Sequence, residues 1–392
     1  MRTKVSSGLE SSGETTMIAR IVASLILTIA TLQPAFAQPN DDPAKEVTRL
    51  KLLPPGPGNP RNSEGDFIRL RDGRLLLVYT HFTGSGSDSG AAHLAGRFSS
   101  DGGRSWTKQD VVVMPNEGTC NVMSVSLLRL ADGRIALFYL RKNSRVDCRP
   151  MMRVSTDEAK TWSEPTPCIA EPGYYVLNND RAVQLQGGRL VLPVALHNRP
   201  GQEKPDWQGT LMCYLSDDAG RTWRRSKDAF QGRSPEGRRV TLQEPGVVQL
   251  KDDRLMMFAR TDAGSQYVCH SSDGGETWSA PRASNIVSPV SPATIERIPG
   301  RGDLLLVWND HRDVDAARRG KRTPFKVAIS RDEGRSWTHV KTLEDDPNGW
   351  YCYTALAFVD DHVLLAHCAG DRRTGGLALT QITRFPVGWV YR

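Results

Sequence analysis

The chain of 392 residues has no C-x-x-C pair. Its seven cysteines, Cys120, Cys148, Cys168, Cys213, Cys269, Cys352 and Cys368, are odd in number and widely spaced. That arithmetic argues against a structural metal site, and neither metal nor cofactor is expected. At least one thiol stays unpaired, and the spacing assigns no disulfide. No ten-residue stretch beyond Ala37 carries the apolar period of an amphipathic helix, which argues against a helical fold. The formal charge of +7 is scattered, so nucleic acid is not an expected partner. There is no Trp-Asp dipeptide, the mark of the forty-residue propeller repeat. Beyond Leu32 no run is long and apolar enough to span a membrane.

One apolar stretch is present, Ile21–Leu32, with Arg20 before it and Ala35-Phe36-Ala37 after it. This is the pattern of a secretory signal with cleavage after Ala37, and Met17 is a plausible start. The expectation is a signal at 1–37, a short linker at 38–45 and a single domain at 46–392. The product would be secreted or periplasmic, and a monomer.

What the remainder holds is a repeat. S-x-D-x-[GA]-x-[ST]-W occurs five times, at Ser99–Trp106, Ser155–Trp162, Ser216–Trp223, Ser271–Trp278 and Ser330–Trp337. The third-position aspartates Asp101, Asp157, Asp218, Asp273 and Asp332 are 56, 61, 55 and 59 residues apart. A second signature, a D-G-R-like turn followed by an apolar strand, occurs six times: before LLLVY, IALFY, LVLPV, LMMFA, LLLVW and VLLAH. About four strands fit each period. Radial repetition of such sheets makes an all-β, six-bladed β-propeller of four-stranded antiparallel blades. The segment Glu46–Leu53 is expected to supply the outer strand of the last blade. The Asp motifs are read as hairpin turns whose carboxylates accept backbone N–H bonds, with calcium loops as the weaker alternative.

Residues present in every repeat cannot mark one active site, so chemistry is sought where the repeats differ. Overlaying them on their D-G-R-like turns brings Glu64, Ser124, Asn179, Glu244 and Cys352 to equivalent places, with Tyr353 beside the last. A carboxylate next to a phenol can take its proton and make it a nucleophile.

With these residues in place, the sequence resembles the sialidase (exo-α-neuraminidase) family, six-bladed propellers whose repeated turn is called the Asp box. The resemblance spans about residues 60–385 and implies a catalytic role for three residues. Asp88 in GSGSDSG matches the acid/base. Glu244 in QEPGVV matches the residue that activates the nucleophile. Tyr353 in YTAL matches the nucleophile, with Tyr351 as the alternate. Arg260 in FARTDAG and Arg322 in RTPFKVAIS match two arginines that hold the substrate carboxylate. The implied substrate is a glycan ending in sialic acid or another acidic sugar.

The departures are specific. The family's first arginine would fall at Ser63, and the acid that supports it near Cys368. Arg181 is the candidate third cation, with Arg61 and Arg141 as others. Glu64, Asp66 and Asn179 could serve hydroxyl recognition instead. Two rivals remain open: a glycosidase of another specificity using paired carboxylates such as Asp88 and Glu244, and a non-catalytic glycan-binding propeller.

Overall fold

Turns with fixed chemistry set the architecture. In Leu70–Arg74 the Leu70 amide donates to the Arg74 carbonyl and the Gly73 amide to the Leu70 carbonyl, at 2.8 and 3.0 Å. Gly73 has φ 87°, a conformation costly for a residue with Cβ. The same bonds close 130–134 and 185–189. Each such turn joins two antiparallel strands, as in Arg61–Arg69 with Leu75–Phe82. The second strand of a hairpin, for example Leu75–Phe82 or Leu190–Asn198, is buried on both faces, which explains its unbroken apolar run.

The computed structural model describes residues 46–392. The expected export signal and the 38–45 linker lie outside the described residues. The fold is all-β and β-propeller-like. Four antiparallel sheets have four strands each. They comprise Arg61–Met114, Gln243–Val287, Thr294–Glu344, and Gly349–Pro386 joined by Thr48–Leu53. Thr48–Leu53 pairs with Thr380–Pro386 as the outer strand of its sheet. The stretch 121–225 differs from the expected pair of separate blades, because its hydrogen bonds run through one nine-stranded sheet. Tyr174–Val176 joins its halves, pairing antiparallel to Leu190–Asn198 and parallel to Cys148–Ser155. A short helix, Val387–Tyr391, follows the last strand. No helix among the described residues is long and apolar enough to cross a membrane.

The five Asp motifs form one hydrogen-bonded turn repeated with little change. In the first, Ser99 Oγ donates to Asp101 Oδ1 and accepts from the Gly103 amide, both at 2.9 Å. Asp101 Oδ1 also accepts from the Ser105 amide at 2.9 Å. Matching bonds recur at Asp157, Asp218, Asp273 and Asp332. The hydroxyl and amide of Thr161 hold the Asp157 carboxyl at about 2. Gly103 has φ 85°, and a Cβ there would lie 2.2 Å from Leu364 of the adjoining sheet. The turns therefore dock on neighbouring sheets. Trp223 meets Phe138 of the preceding sequence repeat edge-on at 6.2 Å, whereas Trp106 meets Phe67 of its own sheet at 5.9 Å.

The core lies between successive sheets. One buried cluster joins Val248, Phe258 and Ile286 to Ile295, Leu306 and Trp308. Another joins Phe67, Leu77 and Tyr79 to Ala355, Leu364 and Ile382. The first strands of the sheets meet centrally through polar ties. Asp66 accepts from the Leu127 amide at 2.7 Å, and Asp180 from the Leu356 amide at 2.9 Å.

Candidate active site

Four first strands carry the same irregularity. Register slips by one residue between Ser63 and Asp66, Met123 and Ser126, Gln243 and Gly246, and Cys352 and Ala355. Each slip is a β-bulge, and bulges re-aim side chains. The residue inside each bulge is left-handed: Glu64 (φ 56°), Ser124 (58°), Glu244 (48°) and Tyr353 (54°). All four line one cavity of about 450 Å³. The equivalence expected from the turns is correct for three of them and one residue short for the fourth. Tyr353, not Cys352, occupies the bulge. Asp180 (φ 56°), not Asn179, is the left-handed residue in its segment.

Glu244 is the meeting point. Its Oε1 accepts from Tyr353 Oη at 3.0 Å and from Arg260 Nη1 at 2.7 Å. Arg260 reaches it because it is the cross-strand partner of Gln243. Burial alone would raise the Glu244 carboxyl. The charges of Arg260 and Arg322 and the two hydrogen bonds outweigh it and hold the group below its usual value. The Tyr353 phenol moves the other way: burial, then the Glu244 charge, push it up, so it is a neutral donor at rest. Arg322 stacks at 5.1 Å on the Tyr353 ring and 5.0 Å on Trp350. It is 8% exposed, and its Nη1 has no hydrogen-bond partner. A buried guanidinium with a free donor lining a cavity is a seat for an anion.

The second group of charges surrounds Arg61, which is 2% exposed. Its guanidinium donates to Ser63 Oγ (2.8 Å), the Gly86 carbonyl (3.2 Å), Asp88 Oδ1 (2.6 Å) and Glu64 Oε1 (3.0 Å). Arg61 and Ser63 are two apart on a strand and share a face. The cation missing at Ser63 is thus supplied from the same face, but it sits behind Asp88 and Glu64 and does not line the cavity. Asp88 is lowered: burial would raise it, but Arg61, then Lys142 and Arg322, prevail. Glu64 is raised to about 7, chiefly by burial, because its Arg61 partner is shared with Asp88, whose charge together with that of Glu244 adds to the rise.

Several expected residues lie elsewhere. Arg181 is turned away from the cavity and donates to the Ala293 carbonyl at 2.6 Å and to Thr294 Oγ1 at 3.4 Å, so it is no third cation for a ligand there. Asn179 is fully buried, and its amide ties the Gly65 and Tyr353 carbonyls at 2.9 and 3.1 Å. Its neighbour Asn178 lines the cavity instead. Asp66 accepts from the Phe67 and Leu127 amides and is a strand tie. Tyr351 stacks on Phe325 at 5.9 Å in the core. Arg141 does not line the cavity. Cys368 faces Cys352 across paired strands.

The sequence reading missed one wall, formed by Tyr174, His197 and Trp207. Tyr174 and His197 each lie within 6.4 Å of another ring of this group, and Trp207 is 55% exposed at the rim. Tyr174 and Trp207 come from segments without repeat character, and His197 from the far end of the repeat strand Leu190–Asn198. Only Trp207, an aromatic in a polar loop, could have hinted at the wall.

In family and fold the chain is similar to known proteins. The family model described as a BNR repeat-like domain matches residues 73–365. A sialidase of Micromonospora viridifaciens is 26% identical over 322 residues, covering 73% of this chain and 46% of that protein. The chain thus spans about half the length of that curated relative, and less of an Aspergillus fumigatus exo-alpha-sialidase, of which it covers 34% at 28% identity. A solved structure of Trypanosoma rangeli sialidase, in complex with 2,3-difluorosialic acid as a covalent intermediate, aligns with TM-score 0.66 at 15% identity. That alignment covers 88% of this chain and 60% of the other. A Dyadobacter fermentans protein of unknown function aligns with TM-score 0.67 at 18% identity, over 87% of this chain and 99% of its own. At such identities the structural likeness is one of fold.

Proposed function

This chain belongs to the BNR repeat-like, sialidase-type family, and from that premise we propose that it is an exo-acting glycoside hydrolase removing terminal α-linked sialic acid, or a related 2-keto-3-deoxy acidic sugar, from glycans. The observation that carries this reading is Tyr353 Oη donating to Glu244 Oε1 at 3.0 Å, in a cavity where Arg322 has an unpartnered donor. On the same reading the nine-stranded sheet counts as two blades, the five Asp turns are Asp boxes, and 46–392 is a six-bladed catalytic domain exported by the 1–37 signal.

The mechanism proceeds from these residues. A sialic acid carries a carboxylate on its anomeric carbon, so an anionic nucleophile would be repelled. Tyr353 is neutral until it reacts. Its Oη attacks the anomeric carbon while its proton passes to Glu244, and the glycosidic C–O bond breaks. Arg260 and Arg322 hold the substrate carboxylate through charge-assisted bonds. Asp88, ionised beside Arg61 in the free site, takes up a proton from solvent before it gives one to the departing oxygen, then takes one from the water that releases the sugar. Two displacements retain configuration.

Purified protein should release the fluorophore from a 4-methylumbelliferyl α-sialoside, and Tyr353→Phe should lower kcat by 10²-fold or more, on the order of a lost covalent route. No turnover on any acidic glycoside would refute the hydrolase reading. One observation favours a second reading: Glu64, at about 7, is a carboxylic acid able to donate a proton near neutrality. If turnover survives Tyr353→Phe and is lost in Glu64→Gln, the paired-carboxylate mechanism replaces the tyrosine one.

A further inference from the structure

The Gly84–Gly90 segment reads in sequence as a free Gly/Ser loop, yet it is clamped from the neighbouring sheet. Asn121 Nδ2 donates to the Asp88 carbonyl at 3.0 Å and to the Gly90 carbonyl at 2.8 Å. Lys142 Nζ donates to the same Asp88 carbonyl at 2.8 Å and to Tyr174 Oη at 2.9 Å. Asn121 and Lys142 are cross-strand partners, so the two donors act from one point. Asn121 is wholly buried and Lys142 is 2% exposed.

The lysine is the unusual half of this clamp. Its ammonium hydrogen-bonds two uncharged oxygens and lies 5.0 Å from the Tyr174 ring centroid. Burying an ammonium without a bonded counter-charge is costly, and a fold that needed only a filled core would place a Leu or Met there. The fixed object is the Asp88 main chain, and the Asp88 side chain is then aimed by Arg61 at 2.6 Å. A general acid shifted by about an ångström loses much of its effect, since proton transfer requires hydrogen-bond reach.

We propose that Lys142 and Asn121 are positioning residues that fix the Asp88 main chain and thereby place its carboxyl at the leaving oxygen. This rests on the acid/base reading of Asp88. The clamp also joins the Asp88 segment to the aromatic wall, because Lys142 bonds the Asp88 carbonyl and the Tyr174 hydroxyl together.

The test compares leaving groups in the full chain. A 4-nitrophenyl α-sialoside departs with little protonation, whereas a lactose-linked α-sialoside needs an acid. Lys142→Met should lower kcat/KM about 10²-fold on the lactose-linked substrate and less than about 10-fold on the nitrophenyl one, the contrast expected of impaired general acid catalysis. Asp88→Ala should show the same contrast. Equal losses on both substrates in Lys142→Met, with the contrast present in Asp88→Ala, would overturn the proposal. Absence of the contrast in Asp88→Ala would instead overturn the acid/base reading. Amide hydrogen exchange over 84–90 then decides the clamp on its own. It should quicken at least 10-fold in Lys142→Met and in the isosteric Asn121→Asp, and unchanged exchange in whichever variant folds would refute the clamp.

Discussion

Glu244 and Tyr353 meet through backbone conformations that most side chains avoid. A left-handed glutamate or tyrosine costs on the order of 1–3 kcal/mol, and such strain persists only where the surroundings enforce it. Here the enforcement is the bulge, present in four first strands and aimed each time into one cavity. Glu244→Gln keeps the shape, removes the charge that draws the Tyr353 proton, and should lower kcat by roughly 10²–10⁴-fold. Stopped assays with the fluorogenic sialoside check this. Glu64 predicts a pH effect with a definite sign. Its carboxyl rises from 4.5 to about 7 on folding, so the native state binds the extra proton between those values. Stability from this group is greatest below pH 4.5 and is lost as pH rises towards 7. Urea melts of Glu64→Gln should therefore show a shallower decline from pH 5 to 7 than the parent. The buried Asp180, also raised to about 7, leaves a residual slope in both.

At the scale of elements, the Asp turn was readable because its bonds are local. Each runs between residues two or four apart, so each leaves a fixed spacing in the sequence. The bulges were readable only in part. The turn count located Glu64, Ser124 and Glu244, but Cys352 and Tyr353 are neighbours, and only the backbone decides which occupies the bulge. The strand Tyr174–Val176, which merges two expected blades into one sheet, has three residues and no alternation to betray it. Arg61 and Lys142 were harder still, because each earns its place by contacts 25 to 54 residues away. The turn itself yields a contrast. Gly103→Ala forces a left-handed Cβ into Leu364 and should destabilise by about 1–3 kcal/mol in urea. Gly187→Ala meets nothing within 4 Å and should change stability by no more than a few tenths.

Across the whole molecule, the repeats hold the frame and the differences between them hold the chemistry. First strands from successive sheets are tied by Asn179, Asp66 and Asp180, so the segments that carry the cavity residues share a floor of buried polar bonds. Onto that floor the proposed reading places a neutral tyrosine, its base, two arginines and an acid held by a third. The most direct test of this account is trapping. Incubation with 2,3-difluorosialic acid, whose C2 fluoride leaves as the adduct forms, followed by peptide mass mapping, should place one 3-fluorosialyl mass on the peptide carrying Tyr353, and Tyr353→Phe should abolish the adduct. A sugar mass on Glu244, Asp88 or Glu64 instead would contradict the account.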